Sequence, residues 1–330
     1  MTTTPAGTPA RPDRTACARR RPSWRTASLC ALALGLSACS AATGTSNSSS
    51  SGTSSTSPHP ARVSATPSES TAPSAPPGDG VATSYDIGGF SLSITCHGKG
   101  GSPTVIVEAS LGNEGLDWTP VSKQVSSTTR MCHYSRAGLL NSNPDPSTTL
   151  PTAASMASEL GRLLTVAHLP GPYVLVTHSF GGLVGRMFIE QNPTAVRGAV
   201  FVDSSTLDEL RSPAFSGIDW NEAGRKIDIP ATETELARAS ALGSRPVVVL
   251  TQDADPDLRS AWYPIQNALA RLSSNSVHVI AVGAGHTVYV DNPAITVRAI
   301  EEVVTAVRTG RRLPSCASTF PAVGGRCVSG

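Results

Sequence analysis

The chain has 330 residues, a formal charge of +2 and seven cysteines, and its first 80 residues hold almost nothing that could build a core. That leaves about 250 residues, the size of one α/β domain. Nothing in the charge pattern suggests nucleic-acid binding. No CxxC pair or clustered His accompanies the cysteines, which argues against a metal, and no cofactor is implied.

Arg11, Arg14, Arg19, Arg20, Arg21 and Arg25, set against the single acid Asp13, precede the short apolar run ASLCALALGLSAC (27–39). A basic region followed by an apolar run too short for a permanent spanning helix reads as a secretion signal. Leu36-Ser37-Ala38-Cys39 resembles the bacterial lipobox. That resemblance implies removal of residues 1–38, acylation of Cys39, and a protein exported and anchored by lipid to the outer face of the bacterial cell membrane. A plain signal peptide or a transmembrane anchor is the alternative. Residues 39–80 are rich in Ser, Thr, Pro and Gly and cannot offset their ordering entropy, so they read as a disordered tether. The first 38 residues carry six Arg and one Asp, which leaves a formal charge of −3 on the remainder.

Cys17 and Cys30 leave with the signal, so the exported domain keeps Cys96, Cys132, Cys316 and Cys327. Four cysteines outside the cytosol suggest two disulfides with three possible connectivities. Cys96–Cys132 and Cys316–Cys327 are preferred, because the first pair falls on two apparent strands and the second lies within one C-terminal tail (309–330).

From residue 81 to 330, short apolar strands alternate with helical patterns, which favours a mostly parallel sheet of about eight strands flanked by helices. TSYDI and FSLSITC are expected as a hairpin turning at Gly88-Gly89. TVIVE (104–108), RMCHY, YVLVT, RGAVFVD, PVVVLT and SVHVIAV follow as strands, the apolar ones of the buried parallel type. Helices are expected over 117–128, through TAASMASELGRLLTVAHL with Met156, Leu160, Leu163 and Leu164 on one face, and over 181–192, 257–272 and 292–308. Residues 204–244 are irregular apart from a helical piece near TETELARASAL, and they read as a small cap or lid insertion over a site.

VLVTHSFGG (174–182) places Ser179 between a strand and a helix that opens on two glycines. A tight turn there holds a serine hydroxyl clear of the sheet, and the helix N-terminus favours developing negative charge. Thr177 stands where the pattern G-x-S-x-G has its first glycine, and it predicts a tighter fit beside the turn. His286 lies on the glycine-flanked loop of GAGHTVYVDNP, after an apolar strand and before a helix that begins at a proline.

These segments, with TVIVEASLG, RMCHYSRAG, GAVFVDSS and PVVVLTQDAD, resemble the α/β-hydrolase fold from about residue 85 to 308. The resemblance implies a triad in the order Ser, acid, His, with Ser179 as nucleophile and His286 as base. The register of P-x₅-G-x-x-D points to Asp255 as the acid; Asp203, at the end of the preceding strand, is the alternative, and Asp253 a further one. The oxyanion donors implied are the backbone N–H groups of Phe180 and Leu111. Arg136 is read as bracing loops near the site, and Cys96 and Cys132 fall on strands that the fold sets side by side. The expected activity is cleavage of an ester, thioester or similar acyl bond of a small molecule through an acyl-enzyme. A serine at the turn argues against dehalogenase-type chemistry, which wants a carboxylate there. A binding lipoprotein that keeps the fold without catalysis is the competing class.

Overall fold

The computed structural model describes residues 75–113 and 115–328. The expected signal segment, Cys39 and the expected tether up to residue 74 lie outside them. Residues 75–80, expected to belong to the tether, pack on the domain instead. The Tyr85 hydroxyl donates to Ala75 O (2.7 Å), Asp79 Oδ1 accepts from Gly98 N (2.9 Å) and Gly80 N donates to Cys96 O (2.7 Å). Partners for these backbone groups offset the entropy of ordering them.

In chain order the strands are β1 (Thr83–Asp86), β2 (Ser91–His97), β3 (Thr104–Glu108), β4 (Met131–Ser135), β5 (Tyr173–His178), β6 (Val196–Val202), β7 (Asn221–Glu222), β8 (Arg225–Lys226), β9 (Gly243–Thr251), β10 (Ser273–Ala281) and β11 (Gly325–Cys327). The helices are α1 (Thr119–Val125), α2 (Ala153–Val166), α3 (Gly181–Gln191), α4 (Leu207–Arg211), α5 (Ile229–Leu236), α6 (Arg259–Ala270), α7 (Val288–Asp291), α8 (Pro293–Thr309) and α9 (Cys316–Thr319). One nine-stranded sheet runs β1-β2-β4-β3-β5-β6-β9-β10-β11. Strands β4 through β10 in that order are parallel to their neighbours, whereas β1, β2 and β11 pair antiparallel.

Burial on both faces explains why the central strands are continuously apolar. Along β5, Tyr173 and Leu175 join a core with Leu160 and Leu163 of α2 and Phe188 of α3. Val174 and Val176 point the other way, into a core with Val121 of α1 and Ile295, Ile300 and Val303 of α8. Both disulfides of the preferred connectivity are present: Cys96–Cys132 links directly opposed residues of β2 and β4, and Cys316–Cys327 closes the tail. That tail forms α9 and β11, and β11 pairs with β10. The sequence alone implied neither element. Among the described residues no helix is long and apolar enough to cross a membrane.

Candidate functional site

Parallel pairing aligns the C-terminal ends of the central strands, with Glu108 of β3 opposite Thr177 of β5 and His178 of β5 opposite Val202 of β6. In open α/β sheets these ends are where ligands bind. Ser179 immediately follows β5 in a left-handed conformation (φ +51°), a strained state for a non-glycine residue that the surroundings must enforce. The enforcement is visible. Ser179 O accepts from Gly182 N and Ser205 N, both at 2.8 Å. A Cβ at Gly181 would lie 2.2 Å from Glu108 O, and one at Gly182 would lie 2.4 Å from Ser205 O. The turn is therefore wedged between the ends of β3 and β6, and only glycine fits at those two positions.

Thr177 is fully buried, and its hydroxyl pairs with Ser204 Oγ at 2.8 Å. Its methyl group faces Gly185 of α3, where an added Cβ would fall 2.4 Å from Thr177 Cγ2. The volume that glycine leaves free in the usual pattern is occupied here, and a glycine on the facing helix makes room for it.

His286 Nδ1 lies 2.6 Å from Asp203 Oδ2. Asp203 follows β6, again with positive φ (+43°), a conformation Asp tolerates better than most residues. Its carboxylate also accepts from Gln252 N and Gln252 Nε2, both at 3.0 Å, and from Trp262 Nε1 at 2.6 Å. Asp255, the residue that strand register favoured, is not the partner of His286. Its Oδ1 accepts from the N–H groups of Asp257 and Leu258 in the turn before α6. Asp253 is committed as well, to the Tyr263 hydroxyl and to Arg259 and Arg326. The register was misleading because the chain after β9 turns at once: Gln252 stays beside Asp203, while Asp253 pairs with Tyr263 and two arginines and Asp255 serves a local turn.

Accepting from Nδ1–H, Asp203 fixes the tautomer that leaves His286 Nε2 as the basic nitrogen. Partial desolvation opposes protonation of His286, but the hydrogen bond and charge of Asp203, helped by Glu209, raise its pKa above the ordinary 6.5. The side chain stays 49% exposed, so the ring is open to an incoming group. His178 holds the loop from behind. Burial lowers its pKa to about 3, so the ring is neutral, and Nε2–H donates to His286 O at 2.9 Å. The two rings lie 4.7 Å apart, and Tyr289 and Trp118 stack at 4.0 Å next to His178.

Phe180 N–H opens α3, and Leu111 follows the end of β3. Among the described residues neither amide has a protein acceptor. Beside them lies a buried ionic cluster that sequence reading saw only in part. Arg136 Nη1 reaches Glu108 Oε1 (2.6 Å) and Ala109 O (2.8 Å), and Nη2 reaches Ser110 O (2.5 Å). Its Nε and Nη2 also fork onto Glu222 at 2.7 and 2.6 Å, and the Tyr134 hydroxyl donates to Glu108 (2.6 Å). Arg136 thus braces loops as expected, and Glu108, an unexplained departure in the sequence, is its buried counter-charge. Glu222, Gln252, Trp262 and His178 carried no sequence signal of their own. Among the described residues no group of three or more His, Cys, Asp or Glu could hold a metal ion.

The model of the alpha/beta hydrolase family matches residues 94–299. A stretch of 126 residues is 38% identical to the probable transporter efuK of Hormonema carpetanum, covering 37% of this chain and 18% of that protein. The uncharacterized protein YqjL of Bacillus subtilis is 27% identical over 232 residues, which is 66% of this chain and 90% of that one. Among solved structures, a thermophilic esterase from Thermogutta terrifontis superposes with a TM-score of 0.51 at 19% identity, covering 66% of this chain and 94% of the esterase.

Proposed function

We propose, because the chain belongs to the alpha/beta hydrolase family, that it is a serine hydrolase that cleaves an ester, thioester or similar acyl bond of a small molecule. The observation that carries this reading is the 2.6 Å bond from His286 to Asp203, with Ser179 held at φ +51° on a strand-turn-helix one strand away. In the proposed reaction Ser179 Oγ attacks the acyl carbonyl while His286 Nε2 takes its proton. Asp203 keeps the ring oriented and stabilises the imidazolium that forms. The N–H groups of Phe180 and Leu111 receive the oxyanion, with α3 adding its positive end. His286 then protonates the leaving group; in the second half a water molecule deprotonated by the same nitrogen attacks the acyl-enzyme, the bond to Ser179 Oγ breaks to release the acid, and His286 returns the proton to Ser179 Oγ.

The resemblance of Leu36-Ser37-Ala38-Cys39 to a lipobox and the two disulfides, which suit an oxidising compartment, support placing this activity at the cell envelope. A fluorophosphonate probe tests the chemistry. Wild-type protein is expected to be labelled and Ser179→Ala to remain unlabelled. An intact domain that takes no label, or equal labelling of the variant, would leave a binding protein as the better reading.

A further inference from the structure

The insertion between β6 and β9 reaches the loop after β3 through one hairpin. β7 and β8 turn through Ala223 (φ +51°) and Gly224 (φ +78°), two successive left-handed residues that make the tight turn suited to a two-residue hairpin loop. The hairpin is fixed on both arms. Arg225 bonds Asp145 Oδ2 (2.8 Å) and the carbonyl groups of Ser147 and Thr149. Ala223 packs so closely on the segment after β4 that a Cβ at Gly138 would lie 2.7 Å from its own. From the first arm, Glu222 accepts the two-pronged bond from Arg136, and its Oε1 also accepts from Gly112 N at 2.7 Å.

Those bonds determine the direction of the oxyanion donor. The Ser110–Leu111 peptide is planar and trans, so its C=O and N–H point in opposite directions. With Ser110 O held by Arg136 Nη2 and by Asn113 N at 3.1 Å, and Gly112 N held on Glu222, the Leu111 N–H between them has one direction left. The Arg136 guanidinium also lies 5.3 Å from the centre of the Phe180 ring. Trp220, two residues before Glu222, covers the same ring at 5.9 Å. The Leu111 donor thus rests on groups that Glu222 holds, and the Phe180 side chain packs against the same guanidinium.

We propose that Glu222, acting through Arg136, is a positioning residue for the oxyanion donors, so that the β7–β8 hairpin and the loop 109–112 form one unit; this rests on the serine-hydrolase reading. Glu222 touches no reacting atom. Burial alone would raise its pKa, but the Arg136 charge and the bonds from Arg136 and Gly112 outweigh burial and keep it below the ordinary value. The carboxylate is therefore ionised over the working pH range.

The test uses the full chain, with p-nitrophenyl butyrate as substrate and a trifluoromethyl ketone, which binds as a tetrahedral oxyanion, as inhibitor. Rates are expressed per serine that takes a fluorophosphonate label, so that loss of folded protein does not enter. Glu222→Ala is expected to lower kcat about tenfold or more with KM changed less than about threefold, since only transition-state contacts are lost. Affinity for the ketone should fall by the same factor as kcat/KM. Glu222→Gln, which keeps one oxygen for Gly112 N–H, is expected to lie between the two. Wild-type kcat and ketone affinity in E222A, whatever its melting temperature, would overturn the proposal. If E222A does not fold, E222Q decides: a threefold or larger loss in kcat per labelled serine supports the proposal, and a smaller one overturns it. Absence of Ser179-dependent labelling in wild type would instead remove the serine-hydrolase reading itself.

Discussion

Gly185→Ala isolates the fit between Thr177 and α3. On an open helix the change would stabilise by about 1 kcal/mol through backbone propensity. Here the new Cβ would sit 2.4 Å from Thr177 Cγ2 and 3.0 Å from Leu175 Cδ2. The threonine methyl is the short arm of a β-branched side chain on a buried strand and has little freedom to retreat. Overpacking of this kind costs about 1–3 kcal/mol, so G185A should destabilise despite its helix propensity. Thr177→Ser deletes the methyl and keeps the hydroxyl that meets Ser204, at a cost of about 1 kcal/mol for one buried methyl. In the double variant the clash with the threonine methyl is absent, only the 3.0 Å approach to the flexible end of Leu175 remains, and most of the propensity gain reappears. Urea unfolding of the four proteins, disulfides intact, should therefore show a favourable coupling of about 1–3 kcal/mol. Additive free energies, or a G185A protein more stable than wild type, would refute the packing account of Thr177.

Asp203→Asn should reduce kcat by roughly 10⁴, as expected when the orienting carboxylate of such a triad is neutralised, while Asp255→Asn stays within about threefold in the same ester assay; the reverse result would return the acid role to Asp255. Because the base must be unprotonated to act and the pKa of His286 is raised above 6.5, kcat/KM should fall as pH drops through a value above 6.5. Glu209, whose own pKa burial pushes up to about 7, contributes to that elevation, so Glu209→Gln should shift the acidic limb to lower pH; an unmoved limb in a pH–rate profile would exclude it. Replacing Cys316 and Cys327 by serine opens a loop of sequence separation 11, for which a loss of about 2–3 kcal/mol is expected; an unchanged urea midpoint would show that the tail contributes no stability.

The central strands were legible in the sequence because burial on both faces imposes unbroken apolar runs, and TVIVE and YVLVT became β3 and β5 almost to the residue. Ser179 and His286 stood out for a related reason: each follows an apolar run that gives way to glycines, and Ser179 directly follows β5, whereas His286 lies in the loop five residues beyond the end of β10. The partner of His286 was ambiguous because two consecutive strands end in aspartates, and choosing between them depends on Gln252 and Trp262, which the chain supplies 49 and 59 residues away from Asp203. Glu222 was harder still. It is 86 residues from Arg136, in a two-residue strand too short for any period to register, and an isolated glutamate in an irregular segment reads as solvated until the fold buries it. The three residues of β11, Gly325-Arg326-Cys327, carry no alternation either; their pairing comes from the edge they meet.

That edge gives the C-terminal tail a role unrelated to the site. The last parallel strand, β10, is nine residues long, and without β11 its outer backbone groups would stand open along their length, a template on which another chain could add a strand. The tail covers the end of β10 nearest the histidine loop, pairing Val279, Ala281 and the residue between them, and the new outermost strand is only three residues long. At the other margin β1 is also short, four residues, and the strand beside it is bonded covalently through Cys96 to β4. A thiol reductant would therefore reach the half-buried Cys316–Cys327 bond at the β11 margin before the buried Cys96–Cys132 bond, and losing β11 would leave the edge of β10 open to edge-to-edge association.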